Sequence, residues 1–248
     1  MALKLTDPKS ALPPKGFIKK DCEKKLEAIK KELYELQNKL YADSRYGVLI
    51  VLQGVDTSGK DGTVRHAFTS MNPAGVQVTS FKAPTEEEMS HDFLWRIYPH
   101  IPARRMIGIF NRSYYEDILV PTLKKTLPAD KIEHRYTFIN EIEAHLVLEH
   151  IEVVKIFLHI SKEEQELKLA GRKTDDRKKW KYAKDDDRAS SEWDDNIATY
   201  EKIFKRCNAQ PWNIVPADKR WYRNYKVAEI LLERLKALPL KYPDPLTD

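Results

Sequence analysis

The seven residues Gly54-Val55-Asp56-Thr57-Ser58-Gly59-Lys60 carry the spacing best suited to chemistry in this chain: a glycine, four residues, then Gly-Lys. Glycines so placed let backbone N–H groups turn inward around a polyanion. The N-terminus of a following helix adds positive potential, and the lysine adds a point charge. The flanks agree, with apolar Val48-Leu49-Ile50-Val51-Leu52 before the loop and a helix-like segment from Thr63 to Met71 after it. An ordinary strand-to-helix turn with an exposed lysine would share the loop pattern but need not share both flanks. The loop ending is unusual. Asp61 stands where Ser or Thr commonly follows the lysine to hold Mg²⁺, and a hydroxyl arrives only at Thr63. With Asp56 also inside the loop, a metal must be held differently or with fewer protein ligands. Asp56 is placed to bind that metal or, as Asp often does in turns, to cap local N–H groups.

Two further segments carry groups that suit phosphate chemistry. Asn111-Arg112-Ser113-Tyr114-Tyr115-Glu116-Asp117 follows the apolar run Met106–Phe110. There Glu116 and Asp117 are candidates to hold Mg²⁺. Arg112 would place positive charge where negative charge spreads over a transferring phosphoryl group, or would form a structural ion pair. Lys82 follows the run Val76–Phe81 and would point over the sheet edge toward phosphates, while Asp92 and Arg96 have the spacing of an ion pair on a helix surface.

A third segment, residues 171–195, is densely charged. Arg172, Lys173, Arg177, Lys178, Lys179, Lys181, Lys184 and Arg188 alternate there with Asp175, Asp176, Asp185, Asp186 and Asp187, and Trp180, Tyr182 and Trp193 are interleaved. Such a run is ordinarily a solvated face. Between amphipathic stretches at 162–170 and 193–206 it also reads as a lid that excludes water from a phosphoryl-transfer site. Its cations outnumber what one small nucleotide needs and suit a long polyanion: a nucleic acid, with the aromatic residues available for base stacking, or an inorganic phosphate chain.

The elements that must position these groups alternate along the chain. Strand candidates are Gly47–Leu52, Val76–Phe81, Met106–Phe110, Val153–Ile160 and Trp212–Val215, with helical patterns between them. Capping-box spacing occurs at Thr85/Glu88, Ser113/Glu116 and Ser161/Glu164. Short apolar strands alternating with helices predict a parallel sheet covered on both faces, with ligands at the carboxyl ends of its strands. The three segments 54–62, 82–92 and 111–117 all fall just past strand ends. Residues 1–16 read as an extended arm. Residues 19–43 read as a long helix whose stripe of Cys22, Leu26, Ile29, Leu33, Leu36 and Leu40 is too short for a coiled coil and is expected to pack on its own domain.

Composition bounds the rest. At 248 residues with 42% hydrophobic content, the chain is long enough for one large α/β domain. The net charge of +5 suits an anionic ligand, yet without a recognition motif it argues against a nucleic-acid binder. Two cysteines, Cys22 and Cys207, make no disulfide framework or zinc site, and His66, His91 and His159 read as helix-face or strand residues. No apolar run suits a bilayer or a signal core, so the expected compartment is the cytoplasm.

Taken together, the runs Leu52–Thr63, Ser80–Thr85, His91–Arg96, Phe110–Asp117 and Pro216–Tyr222, in this order, closely resemble the second family of polyphosphate kinases from Gly47 to about Leu238. In that family the missing Ser/Thr after Lys60 is normal. The resemblance implies a P-loop kinase-like α/β fold: a five-stranded parallel sheet with helices on both faces and a charged helical lid. It implies an N-terminal arm and helix at 1–45 and a phosphotransferase domain at 46–248, with its lid at about 171–195. The implied reaction is Mg²⁺-dependent, reversible transfer of a terminal phosphate between inorganic polyphosphate and AMP, ADP or ATP, with Mn²⁺ and guanine nucleotides left open. Carried over by position, Asp56, Lys60, Arg112 and Asp117 are the central residues, with Asp56 and Asp117 on the metal. Gly54, Thr57, Ser58, Gly59, Lys60, Asp61, Gly62, Thr63, Lys82, Arg172, Arg177 and Lys181 are expected to bind phosphate. Asn111 and Tyr114-Tyr115-Glu116-Asp117 lean toward the subgroup using both AMP and ADP. Further expectations are no nucleic-acid or membrane partner and a homo-oligomer of two or four chains. The competing reading is an ATP-dependent nucleoside or nucleotide kinase; Asp61 argues against it.

Overall fold

The computed structural model describes residues 4–182 and 189–245. Five strands form one parallel sheet in the order β2-β3-β1-β4-β5. They are β1 (Gly47–Gln53), β2 (Val76–Ser80), β3 (Ile107–Asn111), β4 (Ile151–His159) and β5 (Trp212–Pro216). Every residue of β1 is buried, as a central parallel strand covered on both faces requires. Val48 pairs with Ile107 on one side and Glu152 on the other, and the ladders run out to Leu52–Asn111 and Gln53–Phe157. From β1 the chain crosses outward to β2 and returns to β3, whereas β4 and β5 add on the far side. Connections therefore diverge at the carboxyl end of β1, the position where open α/β sheets leave a crevice.

The helices among the described residues are α1 (Lys19–Asp43), α2 (Lys60–Ala67), α3 (Glu86–Ser90), α4 (Glu116–Lys124), α5 (Ala129–Leu148), α6 (Lys162–Thr174), α7 (Trp193–Arg206) and α8 (Arg220–Ala237). The α1 stripe buries Cys22, Leu26, Ile29, Leu33 and Leu40, and this helix packs along α8. It thus lies against the element that closes the chain, and Gln37, a polar residue inside the stripe, bonds both ways with the backbone of Asn72 (2.7 and 2.9 Å). The N-terminal arm is not simply extended. It makes a 3-10 turn at Pro8–Ala11 with Leu5 and Ala11 buried. Ser10 Oγ meets His159 Nε2 at 2.7 Å, and the Asp218 N–H donates to the Ala11 carbonyl at 3.2 Å, so the arm docks where β4 and β5 end.

Several sequence expectations shift for local reasons. The helix after the phosphate loop starts at Lys60 and stops at Ala67, not from Thr63 to Met71, because Gly59 in the left-handed region starts the helix at once. Thr85/Glu88 forms the full reciprocal capping box. Ser113/Glu116 does not: α4 begins at Glu116 itself, and Ser113 Oγ accepts from the Tyr115 N–H instead. At Ser161/Glu164 the hydroxyl accepts from the Glu164 N–H, while the Glu164 carboxylate turns to Lys168. Helix α6 continues to Thr174, into the expected lid, and a 3-10 turn follows at Lys179–Lys181. The lid positions Lys184, Asp185, Asp186, Asp187 and Arg188, and the side chain of Lys181, lie outside the described residues.

One buried polar knot ties four elements together. Lys155 of β4 and Glu143 of α5 are both 0% exposed and meet at 2.7 Å. Lys155 Nζ also donates to the Cys207 carbonyl (2.9 Å) and Tyr115 Oη (3.0 Å), while Glu143 Oε1 accepts from Tyr114 (3.0 Å) and Tyr115 (2.6 Å). The knot thereby fixes the two tyrosines that lead into α4. Removing one member strands the other charge, a loss on the order of 3–5 kcal/mol. Glu143→Ala is expected to lower urea-measured stability by about that much, and Glu143→Leu with Lys155→Met to recover most of it. A double variant no more stable than the single would mean that lost packing, not the stranded ammonium, carries the cost.

Candidate active site

The phosphate loop leaves β1 through Gly54, where a Cβ would come within 2.6 Å of Ser58 Oγ and 2.7 Å of the Leu158 carbonyl. Gly59 has φ +97°, a left-handed conformation that side chains rarely adopt. Thr57 (φ 64°) and Arg112 (φ 65°) take that conformation without being glycine, as do Ser44, Arg105, Lys125 and His150 elsewhere, so each of the two loops that face each other across the crevice holds one strained residue.

Lys60 is buried. It is 8% exposed, and its Nζ folds back to donate to the Gly54 carbonyl (2.7 Å), with the Val55 carbonyl at 3.3 Å and Ser58 Oγ at 3.5 Å. Burial, then repulsion from Arg112, lowers its pKa from 10.5 to about 8. The loop thus closes on its own lysine in a geometry that a phosphate would replace. Ser58 and Thr63 are fully buried, Thr63 donates to the Gly59 carbonyl, and the buried Thr57 hydroxyl has no hydrogen-bond partner. The Asp61 carboxylate accepts from Asn111 Nδ2 at 2.7 Å, strapping α2 to the end of β3.

Across the crevice Arg112 pairs with Asp56 (2.8 Å), each side chain about 40% exposed (38% and 41%). Behind them Gln53, with its amide turned to suit its neighbours, donates to Glu116 Oε1 (3.0 Å) and Tyr200 Oη (3.1 Å) and accepts from Ser113. Burial raises the Glu116 carboxyl, although Arg112 and Lys60 oppose the shift. Asp117, 16% exposed, lies 3.6 Å from the Arg96 guanidinium, and burial raises its pKa to about 6. Its Oδ2 is buried with no hydrogen-bond donor. Arg96 does not pair with Asp92. It is itself buried, lies between Glu88 and Asp117 at 3.6 Å from each, and donates to the Lys82 carbonyl (2.9 Å). Asp92 instead accepts from the Leu94 N–H.

These groups line a cleft of about 530 Å³. Gly54, Asp56, Lys82, Arg112, Glu116, Asp117, Arg96 and Arg135 give it a charged end, and Leu119, Val120, Pro121, Leu123 and Leu127 give it an apolar wall. Gln165, Ala189, Glu192, Asn196 and Tyr200 close the side toward α6 and α7. The structure therefore gathers Asp56, Lys82, Arg112 and Asp117 in one cleft beside the Lys60 loop. It does not bring Arg172 or Arg177 to the cleft lining. Arg177 is spread over Asp175 (3.2 Å) at the surface, with Lys178 on the same carboxylate and Lys179 on Asp176. Sequence reasoning missed Tyr200, Gln165, Gln53 and Arg135. Each is an ordinary helix or strand residue by pattern, and only the fold aims it at the crevice.

No group of three or more His, Cys, Asp or Glu that could hold a metal occurs among the described residues. Asp56 and Asp117 nonetheless suit a hard cation that keeps water and substrate oxygens in most of its shell. The donor-free Asp117 Oδ2 is a carboxylate oxygen of that kind.

Residues 17–242 match the family described as Polyphosphate kinase 2 (PPK2). The AMP/ADP-polyphosphate phosphotransferase of Meiothermus ruber is 42% identical over 224 residues, covering 90% of this chain and 84% of that protein. The ADP-polyphosphate phosphotransferase of Rhodopseudomonas palustris is 37% identical, over 86% of this chain and 78% of its own length. The crystal structure of Polyphosphate Kinase 2 from Arthrobacter aurescens TC1 superposes with a TM-score of 0.92 at 41% identity, over 98% of this chain and 87% of that one.

The folded-back lysine has a measurable consequence. Its pKa is about 8 when folded and 10.5 ordinarily, so the unfolded chain binds more protons between those values and Lys60 adds stability as pH rises from about 8 to 10.5. A bound polyanion restores the ammonium, so tripolyphosphate binding at pH 9 should take up a proton, seen by titration calorimetry in buffers of different ionisation enthalpy. Lys60→Ala should abolish that uptake, slow any turnover at least ~10²-fold, and cost about 1–3 kcal/mol by leaving buried carbonyls without their donor. Equal proton uptake by the two proteins would remove Lys60 from the phosphate site.

Proposed function

The chain belongs to the polyphosphate kinase 2 family, and from that premise we propose that it transfers the terminal phosphoryl group of inorganic polyphosphate to AMP and ADP, and runs the reverse reaction when concentrations favour it. The observation that carries this reading is the cleft itself: a phosphate loop and Arg112 at one end, an apolar wall at the other. The charged end suits phosphates, and the wall suits the face of a nucleobase, guanine as well as adenine. The relatives give no support to an ATP-dependent nucleoside or nucleotide kinase.

In this reading the transferring phosphoryl group sits between the Gly54–Thr63 loop and Arg112. The Lys60 ammonium and loop N–H groups hold donor oxygens, with Thr57, Ser58, Gly59, Asp61, Gly62 and Thr63 supplying backbone or hydroxyl donors. Arg112 leaves Asp56 to follow the charge that develops on the equatorial oxygens, and Lys82 binds acceptor phosphates from the sheet edge. Asp56 and Asp117 would hold Mg²⁺, or Mn²⁺, which supplies charge neutralisation between the two phosphate groups. Arg172, Arg177 and Lys181 would meet polyphosphate as the lid closes, with Arg177 exchanging Asp175 for phosphate. The reading includes a cytoplasmic setting, where nucleotides are made and used, and a homo-oligomer of two or four chains.

Two measurements test this. ADP, Mg²⁺ and long-chain polyphosphate mixed with the protein, without ATP, should yield ATP, and AMP should yield ADP and then ATP; no nucleotide product would end the proposal. Asp56→Asn and Asp117→Asn should each shift activity to higher Mg²⁺ or lower its plateau, because a neutral amide is a poor ligand for a hard cation. Unshifted curves in both variants would return Asp56 to a loop-capping role and Asp117 to its Arg96 pair.

A further inference from the structure

A groove of about 490 Å³ lies between α5 and the segment that runs from Asp92 to Tyr98, and it shares only Arg135 with the lining of the cleft. Lys131, His134, Arg135 and Phe138 sit at the i, i+3, i+4 and i+7 positions of one face of α5. Another face of that helix buries Ile132, Tyr136, Ile139 and Ile142 in the core, which leaves the first stripe outside. Phe93 meets it from the crossing segment. The Phe93 ring stands edge-on to Phe138 at 6.2 Å between centroids, and the Arg135 guanidinium lies 4.7 Å from the Phe93 ring. His134 packs on Phe138 at 6.0 Å. Ring contacts thus join the two segments into one surface, with Phe93 and Phe138 half-buried and Tyr98 exposed.

Acids do not match the cations of this groove. Lys131 is exposed and, among the described residues, in no ion pair. Arg135 gives its Nη1 to a neutral acceptor, the Asp117 carbonyl, while the Asp117 carboxylate that attracts it is the one Arg96 meets at 3.6 Å. Asp92, also in the lining, has its Oδ1 on the Leu94 N–H. Flat apolar faces beside unmatched cations narrow the ligand. An inorganic phosphate chain would satisfy Lys131 and Arg135 but leave the rings wet. An apolar peptide would cover the rings and strand the cations. A planar ring that carries phosphate serves both, because it stacks on Phe93, Phe138 or Tyr98 and gives its phosphate to the cations. The free Oδ2 of Asp92 can accept from a base amino group or a ribose hydroxyl. The volume is that of a small-molecule site.

We propose that this groove is a second nucleoside-phosphate site, outside the catalytic cleft and backing onto it. Arg135 is the shared wall: it lines both spaces and holds the backbone of Asp117 in the first turn of α4. A phosphate in the groove and a phosphate in the cleft draw on the same guanidinium, so each occupant weakens the other. The groove goes beyond phosphoryl transfer and does not depend on it, since it binds ADP whether or not the chain turns ADP over.

The test is equilibrium dialysis of radiolabelled ADP against the full chain, without polyphosphate, for the wild type and for Lys131→Glu combined with His134→Ala. Both positions are exposed, and neither lines the cleft. The wild-type isotherm should contain one class of site that the double variant weakens about tenfold or more, as loss of a charge-assisted phosphate contact predicts. The remaining class should keep its affinity, which also shows that the variant is folded. Adenosine and inorganic phosphate, each carrying half of what the groove recognises, should not displace ADP from the affected class. Superimposable isotherms would overturn the proposal, because all bound ADP would then lie in the cleft. Displacement by inorganic phosphate at the same concentration as ADP would also overturn it, since the surface would then read charge alone. Sedimentation velocity at the same protein concentrations decides the last case. Self-association that the double variant abolishes, with ADP binding unchanged, would give the groove to a second copy of this chain.

Discussion

Every cation at the mouth of this crevice must be kept dry enough to act strongly on phosphate and yet be tolerated while no phosphate is present. The structure meets that constraint by giving most of them an internal stand-in. Lys60 turns onto the carbonyls of its own loop, Arg112 onto Asp56, and Arg96 onto Glu88 and Asp117. A buried charge without a partner would cost several kcal/mol, so the substitutes matter most to buried Lys60 and Arg96 and less to Arg112, which is more than a third exposed. In the proposed function, an arriving phosphate would compete directly with these carbonyls and carboxylates. Part of the binding energy therefore goes into exchanging partners instead of into tight ground-state binding, which suits a site that must also release a nucleotide.

The sheet makes that exchange possible. Because β1 is flanked by β3 and β4, the loop after β1 and the loop after β3 open toward the same crevice, and Asp56 and Arg112 meet from segments 56 residues apart. The knot of Lys155, Glu143, Tyr114 and Tyr115 then fixes the entry to α4, so that Glu116 and Asp117 enter the cleft from its first turn. Deep polar burial in β4 and α5 thereby helps to place Glu116 and Asp117, which follow Tyr115 directly in the chain.

How much of this is legible in the sequence follows from the range of each interaction. Strand cores such as Val48–Leu52 and the loop Gly54–Lys60 are local patterns, and their order alone yields the parallel sheet and the position of the crevice. The α1 stripe reads correctly as intramolecular packing, although which helix covers it does not, since α8 lies almost two hundred residues away. Charges read less well than apolar residues, because a charge's partner is set by tertiary structure. Asp92 and Arg96 have ideal helical spacing, yet Arg96 is drawn inward by Asp117 and Glu88. Lys60 is legible by its type and spacing, but its burial and its bond to the Gly54 carbonyl depend on how the loop packs.

Asp61 couples the spacing of the two loops to the way a metal must be held. In loops that place a hydroxyl after the lysine, that side chain serves the metal. Here the carboxylate at that position is committed to Asn111, the last residue of β3, and so joins α2 to the strand that leads into Arg112. The strap is geometric: it sets the separation between the phosphate loop and the loop that carries Arg112. In the proposed function a metal would then be held by carboxylates across the crevice, where Asp117 Oδ2 is buried without a donor and Arg96 stays 3.6 Å away. On that proposal, such a site would lean on its substrate's own oxygens to complete the metal shell, a natural arrangement when the donor is a polymer of phosphates.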